Sequence, residues 1–204
     1  MLIGITGGIG SGKSFILKLF AKNFPCIKAD DIAKKVMLNQ AIQIKIQKQI
    51  LHTAYFDFKM LKHIVLNNPK KLTKLEEIVH PFVRFEITKL KKLNILHPLI
   101  IETPLLFEKN LENEYEIIIS TVSGMSLQIK RVIRRQNLES QELETILQRQ
   151  VNDLVRINKS HFVINTAKTK LQTKKQVYKI IKILNNMFDQ KIYQLNSSFK
   201  LPKI

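Results

Sequence analysis

The chain has no tryptophan, one cysteine and only sixteen acidic residues in 204. The lone cysteine, Cys26, excludes an internal disulfide and a cysteine-ligated zinc site. His52, His63, His97 and His161 stand at no metal-ligand spacing to one another, so no histidine cluster is expected either. No apolar run is long enough to span a bilayer. The first residues also lack the basic start and small-residue cleavage site of a secretory leader. A cytoplasmic protein without membrane attachment is therefore expected. Internal repeats and linkers rich in Pro, Gly or Ser are absent as well, which favours one compact unit with insertions.

The shortage of acid leaves 34 Lys and Arg against 16 Asp and Glu, a net charge of +18. Such a balance suits nucleic acid or a polyanionic small substrate. The lysines are scattered along predicted helices instead of forming one block, which disfavours a nucleic-acid partner. An apolar fraction of 45% and a charged fraction of 25% are those of an ordinary globular domain.

What is present begins at residue 2. Leu2 to Thr6 is a short apolar run that ends in glycines, and Ser14 to Lys22 has the apolar spacing of a packed helix. Between them, Gly7 to Ser14 reads GGIGSGKS and fits G-x-x-x-x-G-K-[ST]. Glycines let backbone N–H groups turn inward on phosphate oxygens, and a helix N-terminus adds its dipole. Gly8, Ile9, Gly10, Ser11, Gly12, Lys13, Ser14 and Phe15 are the candidate nucleotide-binding residues. Lys13 would bridge the β- and γ-phosphates, and the Ser14 hydroxyl would reach a Mg²⁺ ion.

Four further strands are expected at CIKADD, PLIIET, YEIIISTV and HFVIN, with helices between them and a C-terminal helix over residues 169–188. Pro69 is placed to begin one helix and Pro81 lies inside a second. Strands alternating with helices imply a mostly parallel sheet covered on both faces. Ligands in such sheets sit beyond the carboxyl ends of the strands, where Asp30 and Asp31 follow strand two. Asp30 could accept a proton from an attacking hydroxyl, and Asp31 reads as the cap of the next helix. Glu102 ends a buried strand, where it would hold Mg²⁺ through water. Glu108 is either structural or a substrate contact. Arg131 and Arg135 share a helical face that either supplies guanidiniums to a transferring phosphoryl group or is simply solvated. His80 and Arg84, in HPFVR, also share a face.

Taken together, ITGGIGSGKS, ADDIAKKV, HPFVR, ETPLLFE, QIKRVIRRQ, ILQRQ and FVIN, in this order, resemble the dephospho-coenzyme A kinase family over residues 1 to about 165. The resemblance implies an α/β fold: a three-layer P-loop NTPase core with a parallel five-stranded sheet, adenylate-kinase-like, carrying a helical substrate-binding insertion and a lid. It would assign residues 1–34, 97–125 and 156–190 to the core, 35–96 to the substrate lobe and 126–155 to the lid, with 191–204 a loose tail. The implied reaction transfers the ATP γ-phosphoryl group to the ribose 3′-hydroxyl of dephospho-CoA, with Mg²⁺. Asp30 would be the base, Lys13, Arg131 and Arg135 would neutralise charge, and Asn165 would lie near the adenine. Asp30, His80, Arg84, Leu106 and Glu108 would contact the acceptor, and Ser14 and Glu102 would serve the metal. A monomer or weak homo-oligomer is expected.

The chain departs from the family pattern in several places. Lys28, Glu102 and Gln136 stand where Asp is common, Phe58 where Arg is common, and Arg156 where Lys is common; Asn165-Thr166 alters an I-D-N-x-G run. A drifted acceptor specificity or a nucleotide-dependent nucleic-acid binder are the competing readings.

Overall fold

The computed structural model describes residues 1–94, 96–136 and 140–198, apart from the side chains of 135, 136, 140–142, 145 and 192–198. Five strands form one sheet: β1 (Leu2–Gly7), β2 (Cys26–Lys28), β3 (Leu99–Glu102), β4 (Ile117–Val122) and β5 (Phe162–Asn165). Their order is β2-β3-β1-β4-β5, and the β1–β3, β1–β4 and β4–β5 pairings are parallel. β1 is thus central and buried on both faces, which is why it is written as a continuous apolar run without polar alternation.

The chain divides into two compact units, residues 1–26 with 94–204, and residues 27–93. This corrects the expectation of one compact unit, because the insertion carries its own core. In the first unit, Ile3, Ile5 and Ile119 of the sheet pack with Ile16 and Phe20 of α1 (Lys13–Phe20) and with Val177, Ile181 and Leu184 of α9 (Lys170–Ser198). Each fully buried aliphatic or aromatic side chain of this kind contributes about 1.5–3 kcal/mol. The strand that delivers the glycine turn is therefore held rigidly.

The second unit is helical: α2 (Ala29–Val36), α3 (Gln40–Ile46), a wide turn over Gln47–Leu51, α4 (Phe58–Asn67) and α5 (Pro69–Leu93). Asn39 caps α3 by accepting from Ala41 N and Ile42 N, and Asp57 caps α4 by accepting from Lys59 N and Met60 N. α2, α3 and α4 all pack on α5, burying Ile32, Ile42, Leu61, Ile78 and Ile87.

Four expectations are corrected. Residues 69–93 form one helix through Pro81, not two. The proline removes one backbone donor, and packing by α2, α3 and α4 holds both halves in line. Asp31 is not a cap: Lys28 occupies that position, and both Asp30 and Asp31 lie in the first turn of α2, where the helix dipole favours them. The helical run expected after residue 140 breaks into α7 (Ser140–Gln148) and α8 (Asp153–Lys159), the latter capped by Asn152. The segment 191–198 continues α9 instead of being loose, since no Pro or Gly interrupts it. Residues 199–204 lie outside those described. The remaining helix, α6, spans Met125–Gln136. Among the described residues, no helix is long and apolar enough to cross a membrane.

Candidate active site

β1 delivers the chain into a turn over Gly7–Gly12, and α1 starts at Lys13. Gly10 and Gly12 have φ of 72° and 96°, a conformation that a side chain would strain. Gly12 stands in the cap position of α1 with no side-chain acceptor. The first amides of α1 are thus set up for an external anion. Lys13 Nζ donates to Gly7 O at 2.7 Å and to Gly8 O at 2.9 Å, which folds its ammonium back along the turn. Ser14 is exposed and Phe15 half-buried.

The turn is pinned from outside at Ile9, Gly10 and Ser11. Ser11 Oγ lies 2.6 Å from Thr121 Oγ1 of β4. Ile9 N donates to Gln150 Oε1 at 2.9 Å. A Cβ on Gly10 would come within 2.5 Å of the Gln128 backbone O, so glycine is required there for the close approach of α6. Arg131, also on α6, donates from Nη1 to Gly10 O at 3.2 Å and to Thr166 Oγ1 at 2.9 Å, and from Nη2 to Thr166 O at 2.6 Å. Arg131 therefore ties the Gly10 carbonyl of the turn to Thr166. The side chain of Arg135 lies outside those described.

Glu102 closes β3 opposite Ile5 and is 6% exposed. Ser14 and Glu102 offer hard oxygen donors, and the described residues contain no cluster of three His, Cys, Asp or Glu. A donor set this small fits Mg²⁺, which takes most of its shell from phosphate and water.

Two expected acceptor contacts are occupied otherwise. Leu106 is fully buried and packs under Gly4. Glu108 Oε1 accepts from Arg156 Nη2 at 2.7 Å and from Val151 N at 3.0 Å. Arg156, itself 1% exposed, also donates to Val151 O and lies 3.9 Å from Asp153 Oδ1. Burial lowers the Arg156 pKa, while Glu108 and Asp153 oppose that shift. Asp153 Oδ2 in turn accepts from Ser123 N and Gly124 N, at 3.2 and 3.0 Å, and its carboxylate takes Gln128 Nε2 at 3.3 Å. A polar chain thus runs from Glu108 through Arg156 and Asp153 to Gln128, beside the turn. Asn165 is braced by Gln176, which accepts from its N and donates to its O, each at 3.0 Å.

Sequence reasoning missed Gln128, Gln150 and Asp153, and saw Arg156 and Thr166 only as departures. Their partners lie far off in sequence, and no local pattern announces them. In the second unit, Asp30 is exposed on the first turn of α2; His80 is half-buried and Arg84 exposed on α5.

The family model for dephospho-CoA kinase matches residues 1–172. A dephospho-CoA kinase of Fusobacterium nucleatum is 35% identical over 170 residues, covering 80% of this chain and 88% of that protein. One from Rickettsia prowazekii is 29% identical, covering 90% and 97%. Among solved structures, TT1252 from Thermus thermophilus superposes with a TM-score of 0.80 at 24% identity, covering 90% of this chain and 96% of that one. A dephospho-CoA kinase from Campylobacter jejuni gives 0.67 at 24% identity, covering 91% and 98%. These two structures share the α/β fold, and the match of model and relatives along the phosphate turn and beyond establishes that the chain belongs to the dephospho-CoA kinase family.

Proposed function

We propose that the Gly7–Ser14 turn holds the triphosphate of ATP while the ribose 3′-hydroxyl of dephospho-CoA attacks the γ-phosphorus. The observation that carries this reading is the pinned glycine turn, with its uncapped helix start and Lys13 folded along it. Membership of the family makes the chain an ATP-dependent kinase of the last step of coenzyme A biosynthesis.

In the transfer, a new 3′-O–P bond forms and the bond between the γ-phosphorus and the β–γ bridging oxygen breaks, releasing ADP. Asp30 accepts the proton of the attacking hydroxyl. Lys13 moves from the Gly7 and Gly8 carbonyls onto phosphate oxygens, and Arg135 neutralises charge that grows in the transition state. Arg131 acts by holding the turn. Ser14 and Glu102 are the residues that would hold Mg²⁺, which supplies Lewis-acid neutralisation of the phosphates.

For the acceptor, His80 and Arg84 offer hydrogen bonds and charge to its phosphates. The second unit also contains a cavity of about 380 Å³, whose walls include Ile32, Val36 and Ile42 of α2 and α3 and Phe82, Phe85 and Leu90 of α5. Phe82 and Phe85 are 40% and 67% exposed, an apolar surface that supports docking of the acceptor's pantetheine arm. The excess of basic residues suits two polyanionic substrates. The enzyme works in the cytoplasm, as a monomer or weak homo-oligomer.

The test is incubation with Mg-ATP and dephospho-CoA, with the product read by mass spectrometry and Lys13→Ala as the blank. CoA formed by the parent protein and absent from the blank is expected. ATP consumed only with other acceptors would overturn the assignment of substrate.

A further inference from the structure

Thr166 stands where the family pattern carries a different residue, and no role falls to it from the reaction itself. Its surroundings give it one. It is 5% exposed and directly follows β5, and its N–H continues the sheet by donating to Val122 O at 2.8 Å. Its hydroxyl donates to Ser11 O at 2.6 Å and accepts from Arg131 Nη1 at 2.9 Å. Its own carbonyl takes Arg131 Nη2. A Cβ on Gly12 would meet the Thr166 methyl at 3.3 Å.

The hydroxyl is thus used in both directions at once, as donor to the phosphate turn and as acceptor from α6. A trans peptide points its C=O and the next N–H to opposite sides. Tying Ser11 O back to Thr166 therefore turns Gly12 N–H the other way, and Gly12 is the residue that opens α1. Gly10 and Gly12 would otherwise leave these peptide planes free to rotate.

We propose that Thr166 is a positioning residue for the nucleotide: through Ser11 and Arg131 it fixes the peptide planes of residues 10–12 in the orientation that binds phosphate. This rests on the reading of the turn as the ATP site. Valine keeps the shape and removes the hydroxyl, serine keeps the hydroxyl and removes the methyl, and cysteine offers a weak donor and acceptor.

The experiment measures kcat and KM for both substrates in Thr166→Val, Thr166→Ser and Thr166→Cys, with thermal melts to confirm folding. For Thr166→Val, KM for ATP should rise about ten-fold, the loss expected from leaving the buried Ser11 carbonyl without its donor, while KM for dephospho-CoA holds. Thr166→Ser should stay within about two-fold of the parent, and Thr166→Cys should fall between; that pair carries the test if the valine variant does not fold. An unchanged KM for ATP in Thr166→Val, equal rises in both KM values, or a serine variant as impaired as valine would overturn the proposal. A parent protein that makes no CoA would instead refute the functional reading, and direct ATP binding to the same variants would then test Thr166 on its own.

Discussion

The Arg156 guanidinium meets the Glu108 carboxylate at 2.7 Å, with only 2% and 8% of the two side chains exposed. Two charges withdrawn from water in this way gain little net stability as a pair, yet either one alone is a heavy burden. Glu108→Ala should therefore cost roughly 3–5 kcal/mol. Urea denaturation reads the loss. Replacing both residues by apolar ones of similar volume should recover most of it, and a single variant with unchanged midpoint would show that the pair is not coupled.

Asp30→Asn removes the proton acceptor and keeps the shape of the first turn of α2. kcat should fall by about two orders of magnitude or more, with ATP binding by calorimetry nearly unchanged. Full turnover would assign proton transfer elsewhere.

The Phe82→Ala/Phe85→Ala variant strips the apolar wall of the cavity on α5. KM for dephospho-CoA should rise roughly ten-fold, in line with the loss of one to two buried aromatic contacts. KM for ATP should not move. An adenosine acceptor lacking the pantetheine arm should be phosphorylated equally by parent and variant, and a loss there would place the aromatics at another part of the substrate.

Burial pushes the Cys26 thiol up to about 12 from its model-compound value of 9.0. The folded protein keeps the neutral thiol, so this contribution to stability is complete below about pH 9 and is lost as the pH rises from there towards 12. At pH 8 the native protein should react with iodoacetamide far more slowly than the urea-unfolded chain. Equal rates would mean that the thiol is open to solvent.

Local chemistry made the frame readable. GGIGSGKS between an apolar run and a helix located the phosphate turn, and each buried strand could be seen because short apolar segments ended at turn residues. What stayed hidden was set by distant partners. Glu108 becomes an ion-pair member only because Arg156, 48 positions away, is folded against it. Thr166 reaches Ser11 across 155 positions. α5 runs through Pro81 because neighbouring helices hold it, against the local propensity.

The place of β1 at the centre of the sheet has a consequence for how the chain is made. β1 leaves the ribosome before the other strands of the sheet, and both its neighbours, β3 and β4, come more than ninety residues later. At roughly 5–20 residues per second the nascent strand waits about 5–20 seconds for a partner. The helical unit is contiguous over residues 27–93, so the residues that make its internal contacts are all synthesised in that interval. The contacts of the helical insertion are thus all synthesised while the strand that carries the phosphate turn still lacks both of its neighbours.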